Sequence, residues 1–449
     1  MEHYSAYTMD KLLRPEGFEC SCGKHHVASR LRKVIIGEKT VLQLPTALRE
    51  LTDGKPLIVS DENTEKAAGV LVKQTLKDAG IAYEDYILRG EIVEPDELRL
   101  GQLMMAYSGR CSCIIAVGSG VISDICKVFA RMAGIRQITV GTAPSMDGYA
   151  STCASMLIGG LKTSLYVQTP DVIIADTDIL KNAPMRMIQA GLGDMITKFI
   201  SLPEWKMANM LHDEYWCEET SQLVARSAEM CFEAAPKLKD RDPEAIRLLI
   251  EGLILSGIGV SFVGVSGPAS GGEHYVSHIW DMQNMEHHRK LELHGIQTGV
   301  NTLVMLKMYA HMKQLTPDAE KAKAFAADFD RKKWEKDLRR LFGAGAQKAL
   351  ENEEKAGKHD PAKHAKQLER IMGCWDELLG MIQKMPSAEE AAALWGQTGA
   401  PTTHTGIGFT DEQLTDAFAM SPEIRDRYVG TRLCWDLGWI EEAKGWILE

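Results

Sequence analysis

Cys113-Ile-Ile-Ala-Val-Gly118-Ser-Gly120-Val-Ile-Ser-Asp124-Ile-Cys-Lys127 is an apolar run that meets two glycines flanking a serine and passes directly into a helical pattern. A short apolar run bounded by turn formers suits a buried strand of a parallel sheet. Small residues at its end let backbone N–H groups approach a phosphate, and the start of a helix adds favourable partial charge. The six-position glycine signature of dinucleotide sites is incomplete, because its third position is Ser123. Alone, such a loop is as consistent with a plain tight connection. Strand, loop and helix in this order nevertheless give the repeat of an α/β domain.

The same repeat extends on both sides. Arg32 to Ile36 reads as a first strand and Pro45 to Leu51 as a short helix with proline at its first turn. Lys55 to Asp61 reads as a buried strand, Glu62 to Lys77 as its return helix, Ala82 to Leu88 as a strand and Asp96 to Ser108 as a helix. Asp61, at a strand end, is placed to accept the ribose hydroxyls of an adenosine. Ile138 to Gly141 is a further strand, followed by the polar loop Thr142-Ala-Pro-Ser-Met-Asp147-Gly-Tyr-Ala-Ser151. Hydroxyls and a carboxylate at the carboxyl edge of a parallel sheet lie where such sheets hold ligands, although an ordinary Pro/Gly loop has the same composition. Met156 to Gln168, with Gly159-Gly160 inside, reads as a hairpin, and Asp171 to Asp176 as the last strand.

Helical periodicity dominates from Leu180 onward. We therefore expect an irregular lead-in over 1–30, a dinucleotide-binding α/β domain over 31–180 and an all-α domain over 181–449. Ala190-Gly-Leu-Gly-Asp194 reads as a glycine-flanked turn that opens a helix, with Asp194 near its start. Arg247 to Val265 reads as a strongly apolar central helix. In Ser266-Gly-Pro-Ala-Ser-Gly-Gly272-Glu-His274-Tyr-Val-Ser-His278, a breaker cluster ends one helix and opens another. His274 and His278, four apart, share a helical face, and His294 opens the next apolar-periodic run. Imidazoles on neighbouring helices suit one divalent cation if a carboxylate joins them. Polar-face or satisfied core histidines give the same spacing. His287 and His288 are rivals within a charged run, and a run of that kind usually marks a solvated face.

The chain has 449 residues, beyond one compact core, with 45% hydrophobic residues and a net charge of −11. That balance and the lack of a basic run argue against a nucleic-acid surface. Neither a signal peptide nor a membrane-spanning stretch is expected, and the expected compartment is a reducing cytosol. Cys20, Cys22, His25 and His26 lie close enough to hold zinc. The one-residue spacer and the lack of a second half favour an N-terminal loop instead.

Five ordered segments, Val117–Asp124, Thr142–Gly148, Ala190–Asp194, Ser270–His278 and Leu293–Gly295, together resemble the glycerol-1-phosphate dehydrogenases, most nearly their bacterial AraM-like branch. These are relatives of the iron-containing alcohol dehydrogenases, glycerol dehydrogenases and dehydroquinate synthases. The resemblance implies an N-terminal Rossmann-like α/β domain, an all-α C-terminal domain, and reversible reduction of dihydroxyacetone phosphate to sn-glycerol 1-phosphate with NADH or NADPH. It implies a homodimer or larger assembly and a single zinc, nickel or iron ion held by Asp194, His274 and His294. It places Asp147, Asp194 and His278 on substrate. It places Asp61, Gly118, Ser119, Gly120, Val121, Ile122, Thr142, Ala143, Pro144, Ser145 and Ser151 on cofactor. The substrate phosphate is left with Lys162 and Thr163, Lys198, Arg289 or Lys290 as candidates. Another polyol or alcohol dehydrogenase, a dehydroquinate synthase-type lyase and a nucleotide-binding module without catalysis are the competing readings.

Overall fold

The computed structural model describes residues 3–90, 92–159, 161–287 and 289–449, with Leu161 described by its backbone alone. The chain packs into two compact units. One comprises residues 1–195 and 217–266, the other 196–216 and 267–449. The sequence places everything after 180 in one helical domain, yet the helices Glu218–Leu238 and Pro243–Val263 belong to the first unit.

The first unit is built on a six-stranded sheet. Among the described residues the strands of this unit are, in chain order, β1 (Phe18–Glu19), β2 (His25–His26), β3 (Lys33–Gly37), β4 (Pro56–Asp61), β5 (Glu84–Leu88), β6 (Cys113–Gly118), β7 (Arg136–Gly141), β8 (Cys153–Ile158), β9 (Leu161–Tyr166) and β10 (Val172–Asp176). The central sheet runs β3-β10-β7-β6-β4-β5 and every pairing is parallel. β6 is buried along its whole length, as its unbroken apolar run requires. From β4 the chain moves outward to β5, then returns to β6 on the other side of β4. That reversal opens a crevice at the carboxyl ends of β4 and β6, where doubly wound sheets hold ligands.

β1 and β2 pair as a small antiparallel ribbon, and β8 and β9 as a hairpin in the expected place; Gly160 lies outside the described residues. By length and composition alone the Pro243–Val263 helix could cross a membrane, but 78% of that apolar window is buried inside the protein. Its glycines let neighbours press against it. A methyl group on Gly252 would meet the Cys231 sulfur at 2.3 Å, and one on Gly259 would meet Val224 at 2.6 Å. It is a core helix of the first unit.

One expectation fails locally. Ala190–Asp194 is no turn; it lies inside the helix Met185–Ile196, and Asp194 sits in its last turn. The second unit starts with the next helix, Lys198–His212, and is helical throughout. Its helices Gly272–Glu286 and His294–Met312 are riveted by the buried Gln297 amide, which donates to the Asp281 carboxylate at 2.7 Å. The charged stretch over 315–366 forms four helices with buried apolar faces, Trp334, Leu338 and Leu341 among them.

Candidate active site

In the first unit the ligand-type loops gather at the carboxyl edge of the sheet. Gly118 ends β6 opposite Gly141 of β7, and the Thr142 N–H donates to the Gly118 carbonyl at 3.2 Å. Ser119 immediately precedes the Gly120–Ala133 helix and its side chain makes no capping bond there. A methyl group on Gly118 would lie 2.5 Å from Ile122 Cβ, so only glycine lets the strand turn into this helix so tightly. Val121 is half-buried and Ile122 buried. Thr142, Ala143, Ser145 and Ser151 are buried, and Pro144 with them. The Tyr149 hydroxyl donates to the Ala143 carbonyl at 2.7 Å, and Ser151 Oγ to the carbonyls of Gly148 and Cys153 at 3.1 Å each. Asp61 stands at the end of β4, across the crevice from Gly118. One of its carboxylate oxygens already caps a helix, accepting from Asn63 and Thr64 N–H at 2.8 Å.

Asp147 and Asp194 are neighbours in this unit. The Asp147 N–H donates to Asp194 Oδ2 at 2.8 Å, and Ser256 Oγ donates to Asp147 Oδ2 at 2.8 Å. Two glycines permit this. A methyl group on Gly191 would lie 1.9 Å from the Pro144 carbonyl oxygen, and one on Gly257 2.5 Å from that of Asp147. The sequence reading missed Ser256 and Lys127. Lys127 is fully buried; its ammonium donates to the Gly148 carbonyl and to Cys153 O at 3.1 Å, with Asp124 Oδ1 at 3.4 Å. Burial raises the Asp124 carboxyl, opposed by Lys127. This buried pair holds the Asp147 turn from behind.

In the second unit the three histidines converge. The His274 and His294 ring centroids are 4.9 Å apart, His278 and His294 6.0 Å, and His274 and His278 6.4 Å. His274 Nδ1 donates to Glu273 Oε1 at 2.7 Å, which leaves Nε2 to act as a ligand. Glu273 is fully buried, and Oε1 also accepts the Gly271 N–H at 2.9 Å. Beneath it lies Glu204, which accepts from Gly272 N–H, Gly430 N–H and the Tyr309 hydroxyl at 2.7, 2.9 and 2.7 Å. Burial and then the Glu273 charge push the Glu204 carboxyl above its ordinary range, against those three hydrogen bonds. Neither glutamate was singled out from sequence. The Glu in Gly-Gly-Glu-His was the available signal.

His287 is exposed, and His288 lies outside the described residues. Of the cationic candidates, Lys198 is buried, Lys162 half-buried, and Arg289 and Lys290 exposed. The donor set fits a divalent cation. Within the second unit, a carboxylate-backed imidazole beside a second imidazole supplies borderline nitrogen ligands.

This fold is that of the iron-containing alcohol dehydrogenases. The family described by that name matches residues 35–184. A probable glycerol dehydrogenase from Sinorhizobium meliloti 1021 superposes with a TM-score of 0.59 at 15% identity, covering 93% of this chain and 98% of the other. Among curated relatives, the glycerol-1-phosphate dehydrogenase of Halalkalibacterium halodurans is 36% identical over 294 residues, 65% of this chain and 74% of the relative. That of Methanosarcina mazei is 34% identical over 292 residues, 65% of this chain and 80% of the relative. That of Bacillus licheniformis is 27% identical over 417 residues, 92% of this chain and 91% of the relative. The chain belongs to the glycerol-1-phosphate dehydrogenase family.

Proposed function

We propose that the protein is a cytoplasmic, homo-oligomeric glycerol-1-phosphate dehydrogenase that interconverts dihydroxyacetone phosphate and sn-glycerol 1-phosphate with NAD(P)H. The observation that carries this is the His274–His294 imidazole pair, backed by Glu273, in a chain whose bacterial and archaeal relatives share that name. Asp194, His274 and His294 would hold one zinc, nickel or iron ion. Bound there, the cation acts as a Lewis acid toward the substrate carbonyl.

Reduction adds a hydride to the ketone carbon and a proton to its oxygen. The Gly118–Ile122 loop receives the cofactor pyrophosphate on backbone N–H groups at a helix start. Thr142 to Ser145 and Ser151 fix the loop beside it, so the nicotinamide is held in one orientation. Asp61 serves the adenosine ribose through the carboxylate oxygen that does not cap. Asp147, fixed by Ser256, orients a substrate hydroxyl, and His278 relays the proton.

The test is oxidation of NADH or NADPH by metal-reconstituted protein on adding dihydroxyacetone phosphate, with the product's handedness checked by a stereospecific glycerol-3-phosphate oxidase. Turnover giving a product that this oxidase leaves untouched is expected. No turnover, or phosphate release at constant cofactor absorbance, would overturn the assignment.

A further inference from the structure

In the sequence, Cys20, Cys22, His25 and His26 read as an N-terminal loop because the cysteine spacer is one residue and no second half of a metal site is in view. The structure supplies it from 191 residues away. Cys217 precedes the Glu218–Leu238 helix, and its sulfur lies 3.6 Å from the Cys20 sulfur and 3.6 Å from His26 Nε2. Cys22 Sγ is 3.2 Å from His26 Nε2, and all four ligand atoms lie within 4.8 Å of one another. Zinc–sulfur bonds of about 2.3 Å and zinc–nitrogen bonds of about 2.0 Å span a tetrahedron with edges of roughly 3.5–3.8 Å. Three thiols and one imidazole at that spacing already approximate it. We propose that Cys20, Cys22, His26 and Cys217 form a structural zinc site that clips the N-terminal segment onto the Glu218–Leu238 helix.

The surroundings are those of a built site. Cys20 is 6% exposed, His26 and Cys217 fully buried. β1 and β2 form a tight ribbon that carries Cys20-Ser-Cys22-Gly23 at its tip, and the Gly23 N–H donates to the Cys20 carbonyl at 3.1 Å. Gly23 takes φ +82°, which glycine adopts readily. His26 Nδ1 donates to the Phe262 carbonyl at 2.8 Å. That carbonyl belongs to the last turn of the Pro243–Val263 helix, where carbonyls lack helical partners. The bond fixes the tautomer and aims Nε2 at the sulfurs, as orienting bonds do for metal-ligating histidines. The Tyr4 hydroxyl stands 3.2 Å from the Cys217 sulfur. Tyr4, Phe18 and Phe262 close an aromatic wall around the cluster, with ring centroids 5.4–5.8 Å apart. His25 points elsewhere, 2.8 Å from Glu19, and is no ligand. All ten cysteines are thiols rather than disulfides.

Four protein ligands leave no open position, so the ion would hold structure rather than perform chemistry. Thiolates beside one imidazole select zinc over the hard cations. Another buried cluster, Glu353, His359 and Glu423, differs: Lys358 lies 3.6 Å from Glu423 and supplies its counter-charge.

The test uses the full chain reconstituted with cobalt, which reports thiolate ligation as an intense near-ultraviolet charge-transfer band. The proposed catalytic set holds no thiolate, so the band isolates the new site. Wild type and Asp194→Asn should show the band, and Cys22→Ser should lose it together with one equivalent of zinc by elemental analysis. Cys22 is only half-buried, so the serine is the mildest replacement. Should that variant not fold, titration of wild type with p-hydroxymercuribenzoate takes its place. Release of one zinc as three thiols react supports the site. A wild type without the band, zinc content unchanged in Cys22→Ser, or mercurial titration that releases no zinc overturns it.

Discussion

The backbone N–H of Asp147 donates to the Asp194 carboxylate at 2.8 Å. The turn after β7 and the last turn of the Met185–Ile196 helix are thereby fixed to each other within one unit. The carboxylate assigned to the metal is oriented by the loop assigned to substrate.

Asp194→Asn separates these roles. The amide oxygen still accepts from Asp147, so the loop should keep its place while the anionic ligand is gone. We expect bound active-site metal and turnover to fall by two orders of magnitude or more, with NADH affinity unchanged within about twofold. Elemental analysis and cofactor fluorescence titration check this. A variant with near-normal turnover would remove Asp194 from the ligand set.

Glu273 acts one step further back. Its Oε1 accepts from His274 Nδ1 at 2.7 Å and from Gly271 N–H at 2.9 Å. Glu273→Gln preserves the shape and weakens the acceptor. Such backing residues typically contribute about 10–100-fold to metal affinity or activity. We expect a loss in that range, partly restored by excess metal in the assay. A loss that excess metal leaves unchanged would assign Glu273 to packing alone.

Gly191→Ala tests the close approach of helix and cofactor loop. The added methyl group would fall 1.9 Å from the Pro144 carbonyl oxygen, a backbone atom that cannot swing aside. Overpacking of this kind costs about 1–3 kcal/mol. We expect a lower melting temperature and a raised KM for NADH, because Thr142 to Ser145 must shift. An unchanged KM would detach that loop from the cofactor.

The elements that repeat locally were legible in the sequence, and those that depend on meetings across the chain were not. β6 and its loop could be read because a buried parallel strand is apolar at every position and its glycines follow at once. Gly191 and Gly193 read as a turn because a glycine pair is normally a breaker. Both sit inside a helix, and at Gly191 the Pro144 carbonyl occupies the place of a side chain. The His274–His278 spacing was visible, whereas Glu204, Lys127 and Ser256 owe their roles to partners distant in sequence. Cys217 is the clearest case, since no spacing rule reaches from it to His26.

Acid should reveal the buried ion pair of the second unit. His359 Nε2 lies 3.0 Å from Glu423 Oε1, and Lys358 Nζ 3.6 Å from Oε2. Burial alone would raise the Glu423 carboxyl, but the His359 hydrogen bond and the Lys358, His359 and Arg432 charges lower it from 4.5 to about 2. A depressed carboxyl contributes stability that is complete above its unfolded value and is lost as pH falls through the folded one. The window therefore runs from about pH 4.5 down to about 2. A shift of that size corresponds to roughly 3 kcal/mol. Glu423→Gln should lower stability by about that much at pH 7, because the cations lose their counter-charge, and should flatten the decline between those limits. Urea unfolding of wild type and variant across that range measures both. Parallel pH profiles for the two would show that Glu423 carries no such linkage.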